Sequence, residues 1–290
     1  MGTHLAIALL ICSPVGLADD GQEVGDVKPI EALLTTADVA QTKRLLTDHA
    51  GCAKRGDSKA IVAVLRQMSV FDNEDFIGAA KDGLVYRPSK ADRAAAKLES
   101  EELGLRNKKE IEGLVHERVS AVQAASAQLL GNYPGNKKVT GALVRVFKDK
   151  EFRKQRPIAC AAVVLSLGKL GHRKSEREIY SLFKRQTHAE VARACVRYFG
   201  LIKCKDKSIV RTLCQELSSP EPANVDGASN PPAAYWEQRW KTWNAIRRDV
   251  SWALKEITGQ VFRPSEGEHP SDSRKTLEYV KKHAKELGIR

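Results

Sequence analysis

Histidine and cysteine are the residues of this sequence best suited to catalysis or metal binding, but their spacing matches neither. No pair of the seven histidines has the H-x-x-x-H or H-E-x-x-H spacing that places two imidazoles on one helix face for zinc. The chain also lacks G-x-S-x-G, P-loop and dinucleotide-binding motifs. The acidic run at 72–75 lacks calcium-loop spacing and suits a helix amino terminus. We therefore expect no enzyme activity, no cofactor and no metal site.

Positive charge is the strongest chemical bias of the sequence. The net charge is +12, and the segment 137–211 contains 20 Lys and Arg against 6 Asp and Glu. In a stacked helical array equivalent turns line up, so three clusters in predicted turns would merge into one ridge that attracts anionic polymers. The alternative is an ordinary solvated face, whose cations complement helix dipoles. We name this set the basic edge, and it comprises Lys148, Lys150, Arg153, Lys154, Arg156, Arg173, Lys174, Lys203, Lys205 and Lys207.

A tryptophan-rich stretch offers a second kind of chemistry. Trp236, Trp240 and Trp243 have spacings of four and three, which place their rings on one face of a helix. Such a row could form a platform for carbohydrate. The competing interpretation is that the rings pack in the core against the last helical repeat, and this is the one we favour.

Helices must position these residues, because an apolar ladder repeats through the middle of the chain. Each copy occupies i, i+4, i+8 and i+11, positions that fall along one helix face. The third positions of the three clear copies are 37 and 32 residues apart, and each is followed by glycine. A looser fourth copy lies 55 residues further on. The ladders are Val122, Ser126, Leu130 and Tyr133; Ala159, Val163, Leu167 and Leu170; Val191, Cys195, Phe199 and Ile202; and Ile246, Val250, Leu254 and Ile257.

A second amphipathic run separates successive ladders, at 139–147, 178–183 and 209–217. Two helices in a unit of roughly 30–47 residues are typical of an α-solenoid, in which neighbouring units bury each other's apolar stripes. Strand-favouring runs are nearly absent. The predicted fold class is therefore all-α, as a right-handed α-solenoid of stacked antiparallel helix pairs, with small residues where the backbones approach.

Two segments, ACAAVVLSLGKLG at 159–171 and VARACVRYFGLIK at 191–203, resemble the second helix of HEAT repeats, including Arg193 near the helix start. The closing ALKEITGQVF at 253–262 and the nearby tryptophans look like the end of the array in secreted bacterial HEAT-repeat proteins. The resemblance covers about residues 110–262. It departs from the usual pattern at Ser126, where alanine is common, and in the long insert before the fourth ladder. It implies an armadillo-type fold and a binding role, without naming a partner.

The amino terminus is typical of a signal peptide. An apolar core at 5–12 precedes the small-x-small site at 16–18, although no Lys or Arg stands before the core. We expect residues 1–18 to be a signal peptide, and the protein to be exported to the periplasm or beyond. No later apolar run reaches the ~20 residues of a membrane span. The rest divides into an amino-terminal helical region at 19–106, which could hold degenerate repeats, the HEAT-like array at 107–217, a Pro-rich loop at 218–234, the last repeat helix at 235–262 and a carboxyl-terminal capping helix at 263–290.

Five cysteines follow the predicted leader, and an odd number cannot pair completely within one chain. Cys160 and Cys195 fall in alanine-rich helices, where a free thiol acts as a small apolar filler. Cys204 and Cys214 could form a disulfide across a helix–helix turn, and their spacing leaves this open.

These features predict a non-enzymatic exported scaffold or binding module that recognises another macromolecule through a HEAT-like solenoid surface. The expected partner is a protein or an anionic polymer. The alternative is a basic nucleic-acid- or polyanion-binding α-solenoid, which is less favoured because export separates it from nucleic acid. A third interpretation is the carrier domain of a hydrolase, which requires an active site that the sequence does not show.

Overall fold

A computed structural model describes residues 36–185, 188–220 and 233–290, and within these ranges the protein is all-α, as predicted. They contain thirteen α-helices, one 3-10 turn at Arg173–Ser175, an isolated β-bridge between Glu266 and His269, and no β-strand. The predicted signal peptide lies outside the described residues, as do residues 19–35 and positions 221–232 of the predicted Pro-rich loop. The helices are α1 (Val39–Arg55), α2 (Ser58–Met68), α3 (Phe76–Leu84), α4 (Lys90–Glu102), α5 (Lys108–Leu130), α6 (Lys137–Lys148), α7 (Lys150–Gln155), α8 (Pro157–Lys169), α9 (Glu176–Lys184), α10 (Ala189–Leu201), α11 (Lys207–Gln215), α12 (Ala233–Thr258) and α13 (Ser273–His283).

Side-chain caps fix where many of these helices begin. Asp57, Asn136 and Asp206 each accept hydrogen bonds from backbone N–H groups in the first turn of the helix that follows. α4 begins with a capping box, in which Ser89 and Asp92 each accept a hydrogen bond from the other's backbone N–H. These local hydrogen bonds satisfy backbone N–H donors that the helix itself leaves unpaired. The residues at which these helices begin therefore follow from the local sequence.

The four ladder-bearing helices form the centre of the molecule. α5 packs against α8, α8 against α10, and α10 against α12, while α2 and α3 pack on α5. The first three positions of all four ladders are fully buried, as the periodicity predicts. Burial of one large aliphatic side chain contributes about 1.5–3 kcal/mol to stability. Here the apolar stripe of each helix is buried by packing against the neighbouring helix.

The glycine that follows each clear ladder permits this close packing. A Cβ added at Gly168 would lie 3.1 Å from the Cα of Tyr198, and one at Gly200 would lie 3.0 Å from the Cα of Ala253. Both neighbours are backbone atoms, which cannot move away as a side-chain tip can. The backbones of α8, α10 and α12 therefore approach so closely that no other residue fits at these positions without a shift.

Three shorter helices lie beside the central ones. α6 packs on α8, α9 on α10 and α11 on α12, while α4 packs on α5. α13 packs on α11, and the chain end pairs with the turn before α11: the backbone N–H of Lys207 donates to the Arg290 carbonyl and that of Arg290 to the Lys205 carbonyl, both at 2.9 Å. The predicted carboxyl-terminal helix thus covers one end of this row.

Candidate binding surface

The basic edge is mainly exposed. Lys148, Lys150, Lys154, Arg173, Lys174, Lys203 and Lys207 are exposed, whereas Arg153, Arg156 and Lys205 are half-buried. The Arg153 guanidinium lies 5.2 Å from the centre of the Phe147 ring, a cation–π contact. Burial lowers the pKa of the Arg156 guanidinium, against the opposing effect of the Asp149 carboxylate. The ends of α6, α7 and α8 position the first cluster of the basic edge, at 148–156. The second cluster is Arg173 and Lys174, and the third is Lys203, Lys205 and Lys207.

His172 lies where the first two clusters approach each other. Burial lowers the pKa of its imidazole, and the positive charges of Lys174 and Lys148 lower the pKa further. The ring Nδ1 is 3.1 Å from the Ser175 Oγ, and the His172 carbonyl accepts a hydrogen bond from the Tyr198 hydroxyl at 2.7 Å. Charges act strongly over about 10 Å or less at moderate salt, so two cations that are 26 positions apart in the chain both influence one imidazole.

The second cluster contacts the turn that carries the third cluster. The Arg173 guanidinium donates a hydrogen bond to the carbonyl of Ile202, the residue before Lys203. The Lys205 Nζ donates to the carbonyl of Leu287 at 2.6 Å, which ties the turn to the last helix region. Arg173 and Lys205 therefore hold neighbouring segments together, whatever else they bind. Polyanion binding by the basic edge stays a prediction.

A second, partly exposed surface crosses α8, α10 and α12. We name it the stacked-helix face, and it comprises Leu165 and Lys169 of α8, Arg193, Arg197 and Leu201 of α10, and Asp249 and Trp252 of α12. The residues of each helix are spaced by three or four, so they lie on one helix side. The close packing at Gly168 and Gly200 brings these sides together: Leu201 Cδ1 is 3.0 Å from the position of a Cβ at Gly168.

Two arginines share one carboxylate on this face. Arg193 Nε donates to Asp249 Oδ2 at 2.9 Å, and Arg197 Nε donates to Asp249 Oδ1 at 2.7 Å. The Asp249 side chain is only 9% exposed, whereas that of Arg197 is 46% exposed. Arg193 Nη1 is also 3.6 Å from Glu190 Oε1, and the carboxylates raise the pKa of the Arg193 guanidinium. The buried carboxylate thus fixes two cations that face solvent.

Large apolar side chains flank these cations. Trp252 is 36% exposed, and its ring covers Gly200, where an added Cβ would lie 2.5 Å from the ring atom Cζ3. Leu201, one helical turn after Arg197, is 38% exposed. Exposed tryptophan costs free energy in water, since burying a ring of this size removes a large apolar area. The face therefore combines fixed guanidinium groups with exposed apolar surface.

The sequence contained a signal for this face. Ala161, Leu165 and Lys169 occupy the same places relative to their ladder as Arg193, Arg197 and Leu201 do to theirs. Positions equivalent in every repeat and absent from the buried ladder form a common surface when repeats stack. Asp249 is a second signal, because a carboxylate next to Val250 in the ladder requires a buried partner.

The tryptophan row divides between core and surface. Trp243 is buried and its Nε1 donates to the Glu216 carbonyl at 2.9 Å, as expected for a core residue. Trp240 is 43% exposed and meets Trp243 edge to face, with ring centres 5.1 Å apart. Core packing therefore accounts for Trp243 and does not account for Trp240.

A cleft of about 620 Å³ lies between α2, α4 and α5 and is lined by Arg118, Glu99 and Asp92 among others. Asp92 is buried, and its Oδ2 accepts a hydrogen bond from the Tyr86 hydroxyl at 2.6 Å. Burial opposes its ionisation, but hydrogen bonds from Ser58, Tyr86 and Ser89 prevail and lower the pKa of Asp92. Because this carboxylate caps α4 and holds Tyr86, its role is structural.

The described residues contain no group of three or more His, Cys, Asp or Glu side chains that could hold a metal ion. The five cysteines among them are free and buried, so Cys204 and Cys214 are not paired. Instead the Cys204 thiol donates to Glu176 Oε1 at 2.7 Å. In the same part of the chain, no helix is long and apolar enough to cross a bilayer.

Comparison with protein-family models, with curated proteins and with solved structures finds no significant match to this chain.

Proposed function

We propose that this chain is a non-enzymatic binding module that recognises another protein through the stacked-helix face. The observation that carries the proposal is the exposed ring of Trp252, beside Leu201 and the fixed guanidinium of Arg197. Tryptophan and arginine are the residues that most often dominate the energy of protein interfaces. An exposed apolar group rimmed by charge is the usual form of an interaction site.

The architecture that we propose to present this face is a right-handed α-solenoid of the HEAT or armadillo type. Ladders at spacings of 37 and 32 residues, and the packing of α5, α8, α10 and α12 in chain order, support it. The resemblance of segments 159–171 and 191–203 to the HEAT sequence pattern supports the same family. A solenoid offers extended side-by-side helices, and such a surface suits binding of a long partner segment.

We propose that the module works outside the cytoplasm. The support is the apolar core at 5–12 and the small-x-small site at 16–18. Amino-terminal sequencing of the protein isolated from its native host tests this, because export with cleavage predicts a chain that begins at Asp19. A chain that begins at Met1 and stays in the cytoplasmic fraction would contradict it.

Site-specific photocrosslinking tests the binding function directly. A photoreactive amino acid replaces Leu165 on the stacked-helix face, and in a control it replaces Arg211, an exposed residue of α11. Irradiation of the native host should give one discrete adduct of higher mass from position 165 and none of that mass from position 211. The absence of any discrete adduct from position 165, in folded protein at normal abundance, would reject the proposal.

Polyanion binding by the basic edge is the second candidate function. It is favoured by the effect of both Lys148 and Lys174 on the pKa of His172 and by the contact between Arg173 and the residue before Lys203. A linked row of cations attracts a charged polymer more strongly than separate clusters do. Export favours an anionic polysaccharide or envelope lipid over nucleic acid as the polymer.

A further inference from the structure

The stacked-helix face has a chemical bias that narrows the class of partner. We propose that the partner segment bound there carries a carboxylate side chain within one helical turn, or about four residues, of a large apolar side chain. This inference rests on the proposed function, because it names the kind of protein segment that the face would bind.

Arg197 supplies the carboxylate site. Its Nε is engaged by Asp249 at 2.7 Å, and within the described part of the chain its two Nη groups make no hydrogen bond. A guanidinium presents five N–H donors in a planar fork, so four remain here, and two of them, one on each Nη, lie parallel along the outer edge that an incoming acceptor can reach. Carboxylates match that edge with two parallel hydrogen bonds.

Asp249 holds this guanidinium in place before any partner binds. The carboxylate is fixed in α12 at 9% exposure, and both of its oxygens accept from α10, so the Arg197 side chain is ordered at its Nε. A free arginine loses much of its rotamer freedom on binding, and this one has lost most of it on folding.

Trp252 and Leu201 supply the apolar site. Trp252 lies on the Asp249 side of α12, three residues further on, and Leu201 lies four residues beyond Arg197 on α10. One helical turn advances 5.4 Å, so the apolar pair is about one turn from the cation. A partner with its acid and its apolar side chain at a similar separation meets both at once.

Peptide display on the full chain, followed by measured affinities, tests this inference. Random dodecapeptides are selected on the intact protein, and the best peptide is titrated by fluorescence anisotropy. The variants are Arg197→Gln, Leu201→Ser and, as a matched control, Arg211→Gln on α11. The partner side is varied as well, by replacing the peptide's Asp or Glu with Asn or Gln, a change that leaves the folding of this protein untouched.

We expect the selected peptides to place Asp or Glu within four residues of Trp, Phe, Leu or Met. Arg197→Gln and the neutralised peptide should each weaken binding by at least about tenfold, and the combination should cost little more than either alone, since both remove one contact. Leu201→Ser should also weaken binding, whereas Arg211→Gln should leave it unchanged.

Three results would overturn the inference. Selected peptides without acidic residues, or additive losses in the double-mutant cycle, would show that Arg197 binds no carboxylate. Failure to select any peptide would show that the face takes no linear segment of this kind. In each case a discrete adduct from position 165 would keep the proposed function, and its absence would remove both.

Discussion

The Asp249 carboxylate in α12 accepts a hydrogen bond from Arg197 Nε in α10 at 2.7 Å, across 52 residues of chain. The same carboxylate accepts from Arg193 at 2.9 Å. This buried anion therefore joins two central helices and fixes the charged part of the stacked-helix face. Its removal has to affect stability and binding together.

Asp249→Asn should destabilise the fold by about 2 kcal/mol, because hydrogen bonds to charged groups contribute roughly 1.5–3 kcal/mol and two arginines lose their counter-ion. Urea denaturation followed by circular dichroism measures the change. Glu278→Gln breaks the exposed Arg274–Glu278 pair of α13 and serves as the control. Equal stability of Asp249→Asn and the wild-type protein would show that α10 and α12 do not depend on this carboxylate.

Gly200→Ala should destabilise the protein by about 1–3 kcal/mol, the cost of overpacking a close contact. The added Cβ meets the Ala253 Cα at 3.0 Å and the Trp252 ring at 2.5 Å. Gly141→Ala is the matched control, because Gly141 lies inside α6 with nothing within 4 Å of its added Cβ. That variant should be more stable than wild type by up to about 1 kcal/mol through helix propensity. Denaturant midpoints that move in the same direction for both variants would contradict the close approach.

The free energy of unfolding should fall as the pH drops through about 6.5, the pKa of histidine in an unfolded chain. Burial and the charges of Lys174 and Lys148 lower the pKa of His172 in the folded state, so the unfolded chain binds the proton more tightly and gains from acidification. Above that pH both states are neutral at this site and the effect vanishes.

His172→Asn should make the loss of stability between pH 7 and 5 shallower, as measured by thermal unfolding across a pH series. It should not remove it, because burial also lowers the pKa of His49. His116→Asn, at an exposed position of α5, is the control. An unchanged slope in His172→Asn would mean that this imidazole does not sense the folded environment.

Four cysteine thiols, those of Cys160, Cys195, Cys204 and Cys214, should be unreactive in the native protein. Burial raises the pKa of Cys160 and Cys214 to about 12 and that of Cys195 and Cys204 further, and only the thiolate is nucleophilic. A thiol reagent added to the chain from Asp19 at pH 8 should therefore label these four slowly, and should label all five cysteines in guanidinium. Fewer than five thiols in the denatured, unreduced protein would reveal a disulfide.

Charge reversal should distinguish a polyanion site from a solvated face. We expect heparin to bind the chain from Asp19 with an affinity that falls steeply with salt, by a logarithmic slope of about 0.9 for each anionic group neutralised, as for duplex DNA. Reversal of one cluster of the basic edge should abolish binding, and reversal of the same number and types of exposed cations on α1 and α4 should not. The test set is Lys148, Lys150, Arg153 and Lys154, and the control set is Lys43, Lys90, Arg93 and Lys97, each changed to Glu.

Equal losses from the two sets would show that net charge, and not the basic edge, attracts the polymer. Absence of binding even at low salt would leave the basic edge as an ordinary solvated surface. Duplex DNA in the same series separates a general polyanion site from one that prefers polysaccharide.

The sequence by itself determined the helices and their buried sides. The ladder from Val191 to Phe199 repeats every four residues, and periodicity within one helix is local, so it predicts which side of α10 is buried without knowledge of the neighbour. The same holds for the caps at Asn136 and Asp206, whose bonds span two or three residues.

Only the tertiary structure decided how the exposed sides combine. The hydrogen-bond partner of Arg193 is 56 residues away along the chain, and that of Lys205 is 82 residues away. Neither separation corresponds to a repeat in the sequence, so neither pair could be predicted from it. Trp243 and Trp252 also could not be told apart from the sequence, since both lie on α12. The packing of α10 and the 216–217 segment against this helix leaves Trp243 buried and Trp252 partly exposed. The charge and exposure of a surface residue depend on which helices lie beside it. Here the close packing at Gly168 and Gly200 brings α8, α10 and α12 side by side.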